Sequence, residues 1–226
     1  MITVHHLENS RSHSTLWLLE ELGAEYEIEL YKRDPVTRLA PASLKDVHPL
    51  GKSPVITDGD ITVAESGTIV EYLMRHYSQG QLQPADNEQA RIDYSYFLHY
   101  AEGTMMPLMI INLLLSRVES AKMPFFIKPI ATGITGKLRE AYLTPNTQMN
   151  LNFLEERLNG RQWFTGDTLT AADIHMSFML EGLSIGGTLD NLPNLKSCHE
   201  RGKQRPAYQR AVERGGPLDL AAMRRS

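Results

Sequence analysis

Two short stretches of the chain carry residue types whose spacing suits ligand binding. Glu65-Ser66 precedes a run with helical periodicity, in which Ile69, Val70, Leu73 and Tyr77 share one face. A carboxylate, a hydroxyl and the free amides of a helix N-terminus therefore meet there, which suits a ligand's ammonium and carboxylate together. Ser66 is placed to cap the amides behind it, and Gly67 leaves room for close approach. Ser53-Pro54 opens the preceding strand. A cis peptide at that point would expose backbone N–H and C=O for strand-like pairing with a ligand. Lys52, beside Gly51 in the turn before it, either faces solvent, as a turn lysine commonly does, or pairs with a ligand carboxylate.

The remaining candidates are scattered. His5, His6, His13 and His48 lack HxxxH or Cys/His spacing, so they read as surface or turn residues, and no metal is expected. Cys198 is the single cysteine, which excludes an internal disulfide framework and a CxxC redox centre. It lies in the distal part of the chain, not at the first helix N-terminus where a catalytic thiol is expected, and reads as structural.

The elements that must position these residues are legible in order. ITVHHL predicts a strand, ENSRSHS a polar turn, STLWLLEELG a helix ended by Gly23, and YEIELYKR a second strand. That β-α-β unit is parallel and right-handed by rule. After a Pro-containing segment, PVIT and ITVAE flank Asp58-Gly59-Asp60 as a hairpin, followed by the helix that Ser66 opens. Strand signals then fade. The pattern predicts a first domain over residues 1–79, a linker over 80–87 with Gly80 and Pro84, and an all-helical domain over 88–226. Met105 to Leu115, apolar but broken by Pro107 and Asn112, predicts a buried helix too short to cross a bilayer. Thr170 and Asp173 have the spacing of a capping box, a structural device without chemistry.

With 226 residues, 22% charged and 42% hydrophobic, the chain has the composition of a soluble protein with ample core. A formal net charge of −4 leaves no footprint for nucleic acid or an anionic membrane. Met1 runs into ITVHHL without a basic or long apolar segment, so no export signal is expected and a cytoplasmic location is.

GKSP at Gly51–Pro54 and AES at Ala64–Ser66, bridged by the hairpin, together resemble the glutathione-binding half of the glutathione S-transferase family. TAAD at Thr170–Asp173 matches a folding motif of that family's helical domain. The wording SRSHSTLWLLEELG, then HPLGKSPVITDGD, is most similar to a bacterial and fungal branch of its cytosolic type. The resemblance implies an α/β thioredoxin-like N-terminal domain followed by an all-α C-terminal helical domain. It implies an enzyme that activates the thiol of glutathione, its co-substrate, as thiolate for attack on a small hydrophobic electrophile. A homodimer without a metal is implied as well.

A free thiol with pKa near 8.5 is only ~3% thiolate at neutral pH. Lowering that pKa by about two units, ~2.7 kcal/mol, makes thiolate the majority form. The family places the activating hydroxyl just after the first strand, where this chain has NSRSHS. Ser10 matches best, Ser12 competes, and Arg11 adds positive potential or grips a glutathione carboxylate. By the same resemblance the γ-glutamyl group lies at Glu65-Ser66 and the cysteinyl backbone on Ser53, with Pro54 setting the peptide and Lys52 nearby. Tyr100, Met105, Met106 and Met109 offer an adaptable wall for the electrophile, with core packing as the alternative. The same residues also fit a glutathione-dependent peroxidase or disulfide-bond reductase, and a non-catalytic binding or scaffold protein of the same fold.

Overall fold

The computed structural model describes residues 1–221. A mixed four-stranded sheet in the order β2-β1-β3-β4 forms the first layer. Strand β1 (Ile2–Leu7) is central and almost wholly buried, so its apolar and β-branched sequence faces protein on both sides. Helix α1 (Ser12–Leu22) ends at Gly23, whose left-handed φ of 64° closes the last turn. The chain then returns as β2 (Tyr26–Tyr31), parallel to β1 in the register Ile2↔Tyr26 to Leu7↔Tyr31. A single turn, α2 (Leu44–Val47), leads to the antiparallel hairpin of β3 (Val55–Asp58) and β4 (Ile61–Ala64). Gly59, at φ 58°, supplies the positive φ that a two-residue hairpin loop requires. Helix α3 (Ser66–Tyr77) completes this layer, which has the element order of a thioredoxin-like domain.

Between residues 88 and 215 the main elements are helices: α4 (Glu88–Tyr100), α5 (Met106–Ser120), α6 (Lys128–Leu138), α7 (Thr144–Arg157), α8 (Ala171–Ser184), α9 (Pro193–Lys203) and α10 (Pro206–Gly215). Two π turns, Ala101–Met105 and Arg139–Leu143, interrupt the helical winding. Helix α8 is the centre of this layer, with Ala171, Ala172, Ile174, Met176, Met179 and Leu180 buried. It packs on α1 and α3 as well as α4, so it joins the helical layer to the sheet.

The capping box sits at the head of that helix. Asp173 accepts hydrogen bonds from the amide (2.9 Å) and hydroxyl (2.8 Å) of Thr170 and from the hydroxyl of Thr165 (2.6 Å). The Thr165 amide adds a fourth, at 3.3 Å. Burial alone pushes the Asp173 carboxyl up, and these four donors oppose it.

One expectation fails here. The apolar run from Met105 is not a buried helix: in α5 only Met106 and Leu108 are buried, while Ile110, Leu114 and Val118 are exposed. The reason is position, since α5 packs chiefly on α6 and the two π turns at the margin of the helical layer.

Asp173→Ala removes the acceptor from two amides and two hydroxyls at once. It should lower stability by about 3 kcal/mol, against about 1 for Thr170→Ala. Urea unfolding of both variants checks this, and equal losses would mean that the cap, not the buried carboxylate, holds α8.

Candidate active site

The site begins at the turn between β1 and α1. Arg33 donates to three backbone carbonyls, Glu8 at 3.1 Å, Asn9 at 3.2 Å and Arg38 at 3.1 Å, and Asn9 takes a left-handed φ of 52°. This reversal brings Ser10 to the edge of a cavity of about 440 Å³. The cavity is walled on the sheet side by Asn9, Ser10, Arg11, Arg33 and Ser53. On the helical side stand Met105, Met106, Met109 and Phe178. A few polar residues at the rim of an apolar hollow of this size are the usual form of a small-molecule site.

Behind Ser10 runs a buried polar column. Ser12 Oγ lies 2.7 Å from Ser10 Oγ and 2.7 Å from His6 Nδ1, and the Ser12 amide donates to Ser10 Oγ at 3.3 Å. His6 Nε2 lies 2.9 Å from the Gly215 carbonyl, and His13 Nε2 lies 2.8 Å from that of Gly216. Both carbonyls come from the end of α10, which is fixed to α1 by Arg210 and Arg214 on Glu20 and by Arg205 on Glu21. Ser53 Oγ donates to the His5 carbonyl (2.9 Å) and accepts from the Leu7 amide (3.3 Å), which ties the second strand-opening loop to β1. The Ser53-Pro54 peptide is cis.

A second recess adjoins the first, lined by Arg11, Ser66, Glu102 and His175. Arg11 Nε lies 3.1 Å from a Glu102 oxygen, and its guanidinium sits over the Phe178 ring at 5.8 Å. Glu102 belongs to the first π turn, a winding irregularity often found where side chains are re-aimed at a site. Burial pushes its carboxyl up, Arg11 pulls it down, and Glu65 adds like charge.

The structure thus brings Ser10, Arg11, Ser53, Met105, Met106 and Met109 together around the cavity, with Ser66 and Arg11 sharing the second recess; Pro54, next to Ser53, is buried and lines neither. Glu65 is exposed at the head of α3. Lys52 is exposed and stands outside both hollows. Four expectations need correction. Ser12 is fully buried behind Ser10 and cannot touch a ligand directly. Tyr100 turns into the core, donating to Asn150 Oδ1 at 2.5 Å, and does not line the cavity. Ser66 is the first residue of α3 and not its cap, because Glu65 occupies the N-cap position at φ 71°. His5, His6 and His13 are buried and not at the surface, since β1 and the start of α1 lie inside the molecule. Cys198 is buried as well, and burial pushes its thiol up to about 12, which leaves it unreactive.

Glu102, Arg33 and the partnership of His6 with Ser12 were not visible in the sequence. Glu102 stands alone ahead of an apolar run, and Arg33 lies in a loop. His6 carried one usable signal, its place inside a run predicted as a strand.

Residues 1–75 match the family model for the glutathione S-transferase N-terminal domain, and residues 126–210 match that for the C-terminal domain. Glutathione S-transferase 1 of Saccharomyces cerevisiae is 36% identical over 188 residues, 80% of each chain. Glutathione S-transferase 3 of Schizosaccharomyces pombe is 35% identical over 179 residues, 79% of this chain and 72% of that one. Among solved structures, a glutathione S-transferase of Actinobacillus pleuropneumoniae superimposes with a TM-score of 0.75 at 34% identity, covering 98% of this chain and 96% of that one. A sphingomonad glutathione S-transferase complexed with glutathione gives 0.72 at 22% identity, over 95% and 98%, and shares the fold.

The buried rings make acid stability a measure of this packing. Burial lowers His6 to about 4 and His175 to about 4. Both must stay neutral in the native state, while the unfolded chain takes up protons below its ordinary histidine pKa of about 6.5. Stability from these rings is full above that value and is lost as pH falls toward 4, by roughly 1 kcal/mol for each ring between pH 7 and 5.5. Urea midpoints across that interval should fall accordingly; a flat profile would mean that the rings are protonated in the fold.

Proposed function

The chain belongs to the glutathione S-transferase family and is a glutathione transferase, and from that premise we propose that Ser10 holds the sulfur of glutathione as thiolate at the cavity rim. The observation that carries this reading is the position of the Ser10 hydroxyl. It opens on the cavity from the turn ahead of α1, beside the positive end of that helix. Ser12, the other hydroxyl of this turn, is closed off behind it.

The rest of glutathione follows from the groups in reach. Its γ-glutamyl ammonium faces Glu65 and Glu102, and its carboxylate takes the Ser66 hydroxyl and the first amides of α3. Arg11 balances Glu102. The cysteinyl backbone pairs with Ser53 beside Pro54, and Lys52 approaches a carboxylate from the rim. The electrophile then occupies the apolar side of the cavity against Met105, Met106 and Met109, a small hydrophobic molecule attacked by the thiolate. Tyr100 has no part in that pocket.

We place the division of the chain at residues 1–79 and 88–226, with 80–87 between, supported by the end of α3 at Tyr77 and the start of α4 at Glu88. We further propose a homodimer joined across the helical layer. Ile92 and Tyr96 of α4 and Met149 and Phe153 of α7 are exposed, with Tyr96 against Phe153 at 5.9 Å between ring centroids. The cytoplasm, where glutathione is kept reduced, is the compartment that suits this chemistry.

In an ultraviolet titration, bound glutathione should be thiolate from at least two units below the pKa of the free thiol, and Ser10→Ala should return it toward 8.5. The same substitution should cost roughly a hundredfold in kcat/KM with a chlorinated aromatic substrate. An unmoved thiolate pKa in Ser10→Ala would remove Ser10 from the reaction. Solution scattering should give twice the chain mass, and a monomeric mass would sink the dimer.

A further inference from the structure

The hydrogen-bond column behind Ser10 has a direction, because each of its members has a fixed number of protons to give. The Gly215 carbonyl only accepts, so His6 Nε2, 2.9 Å away, carries a proton. In a neutral ring Nδ1 is then an acceptor, and Ser12 Oγ, at 2.7 Å, must donate its only proton to it. With that proton committed, the 2.7 Å contact between Ser12 and Ser10 is filled by the proton of Ser10. The competing contacts, Ser12 to the Leu7 carbonyl and Ser10 to Ser53 Oγ, are both 3.5 Å and much weaker. In the ligand-free protein, every hydroxyl proton of the column therefore points inward. Ser10 presents a lone pair to the cavity, which suits a thiol and not a thiolate.

We propose that His6 receives the proton of the glutathione thiol through Ser10 and Ser12, and that this transfer turns Ser10 into the donor that holds the thiolate. The step rests on the placement of the sulfur at Ser10 given above. The thiol proton passes to Ser10 Oγ, the proton of Ser10 to Ser12 Oγ, and that of Ser12 to His6 Nδ1. One S–H bond is broken, one N–H bond forms, and the electron pair stays on sulfur. The charge of the complex is unchanged, since an imidazolium and a thiolate replace two neutral groups.

The surroundings of His6 fit an acceptor that stays neutral until the thiolate forms. Its ring is 1% exposed. The titratable groups facing it are His13 of α1, with ring centroids 6.1 Å apart, and Glu8 of the turn after β1. Burial and His13 hold the ring neutral, while Glu8 and the Gly215 carbonyl favour the cation. The thiolate, two hydroxyls away, adds the negative charge that a buried imidazolium needs. His6 touches neither sulfur nor electrophile, so it is a positioning residue that acts by way of Ser12.

The test counts protons on the full-length protein. Glutathione binding is followed at pH 7 by calorimetry in buffers of different ionisation enthalpy, with the thiolate measured by ultraviolet absorbance on the same samples. The expected result is thiolate with almost no proton released, because His6 keeps it. Release of about one proton for each thiolate formed would overturn the relay while leaving the role of Ser10 intact. Absence of thiolate in the unaltered protein would overturn the Ser10 reading and the relay with it. Nitrogen NMR of the His6 ring should show the Nε2–H tautomer without glutathione and both nitrogens protonated with it; a ring that stays neutral overturns the relay. Ser12→Ala, which leaves His6 and Ser10 in place, should restore proton release and raise the thiolate pKa by about one unit. A Ser12→Ala protein indistinguishable from the unaltered one in proton count would also overturn the relay.

Discussion

The guanidinium of Arg33 holds the reversal between β1 and α1 by donating to the carbonyls of Glu8, Asn9 and Arg38. Asn9 is left-handed at this point, a conformation that costs about 1 kcal/mol. Hydrogen bonds from a charged donor, at ~1.5–3 kcal/mol each, more than offset that cost. Everything that follows in the site depends on this turn. It sets Ser10 at the cavity rim, sends Ser12 inward to start α1, and aims Arg11 at Glu102 in the helical layer. One loop thereby supplies the hydroxyl at the cavity rim, its buried support and the contact between the two layers.

The far end of the chain takes part in the same construction. Helix α10 is held on α1 by Arg205, Arg210 and Arg214, which pair with Glu20 and Glu21. Arg214 also stacks over the Tyr26 ring at 3.7 Å. This docking delivers the carbonyls of Gly215 and Gly216 to His6 and His13, and a carbonyl at Nε2 decides the tautomer of each neutral ring. A close fit is required there: a Cβ on Gly215 would meet the Leu16 side chain and lie 3.4 Å from His6 Nε2. The C-terminal helix is therefore part of the site's electrostatics, though none of its residues lines the cavity.

The cavity itself belongs to both layers. Its polar rim comes from loops of the sheet layer, whose backbone is fixed by ladder and guanidinium hydrogen bonds. Its apolar wall comes from the first π turn and α5, where Met105, Met106 and Met109 stand on the inner face. The outer face of α5 is apolar and exposed. Methionines adapt to ligands of varied shape, so this wall is not tied to one outline.

The strands and main helices of the first layer, the hairpin and the capping box are readable from the sequence alone, because each is written in neighbouring residues. Turn chemistry, strand alternation and helix caps act over a few positions, so they survive without knowledge of the fold. Ser10 was singled out by the family resemblance; local pattern alone left it beside Ser12 as one of several hydroxyls at a strand-to-helix turn. Packing settles the rest: Ser12 is buried, Tyr100 leaves the pocket, α5 is half exposed, and Glu102 meets Arg11. It alone joined His6 to Gly215 across most of the length of the chain. Burial and long-range hydrogen bonds depend on which elements pack together, and no local pattern records that.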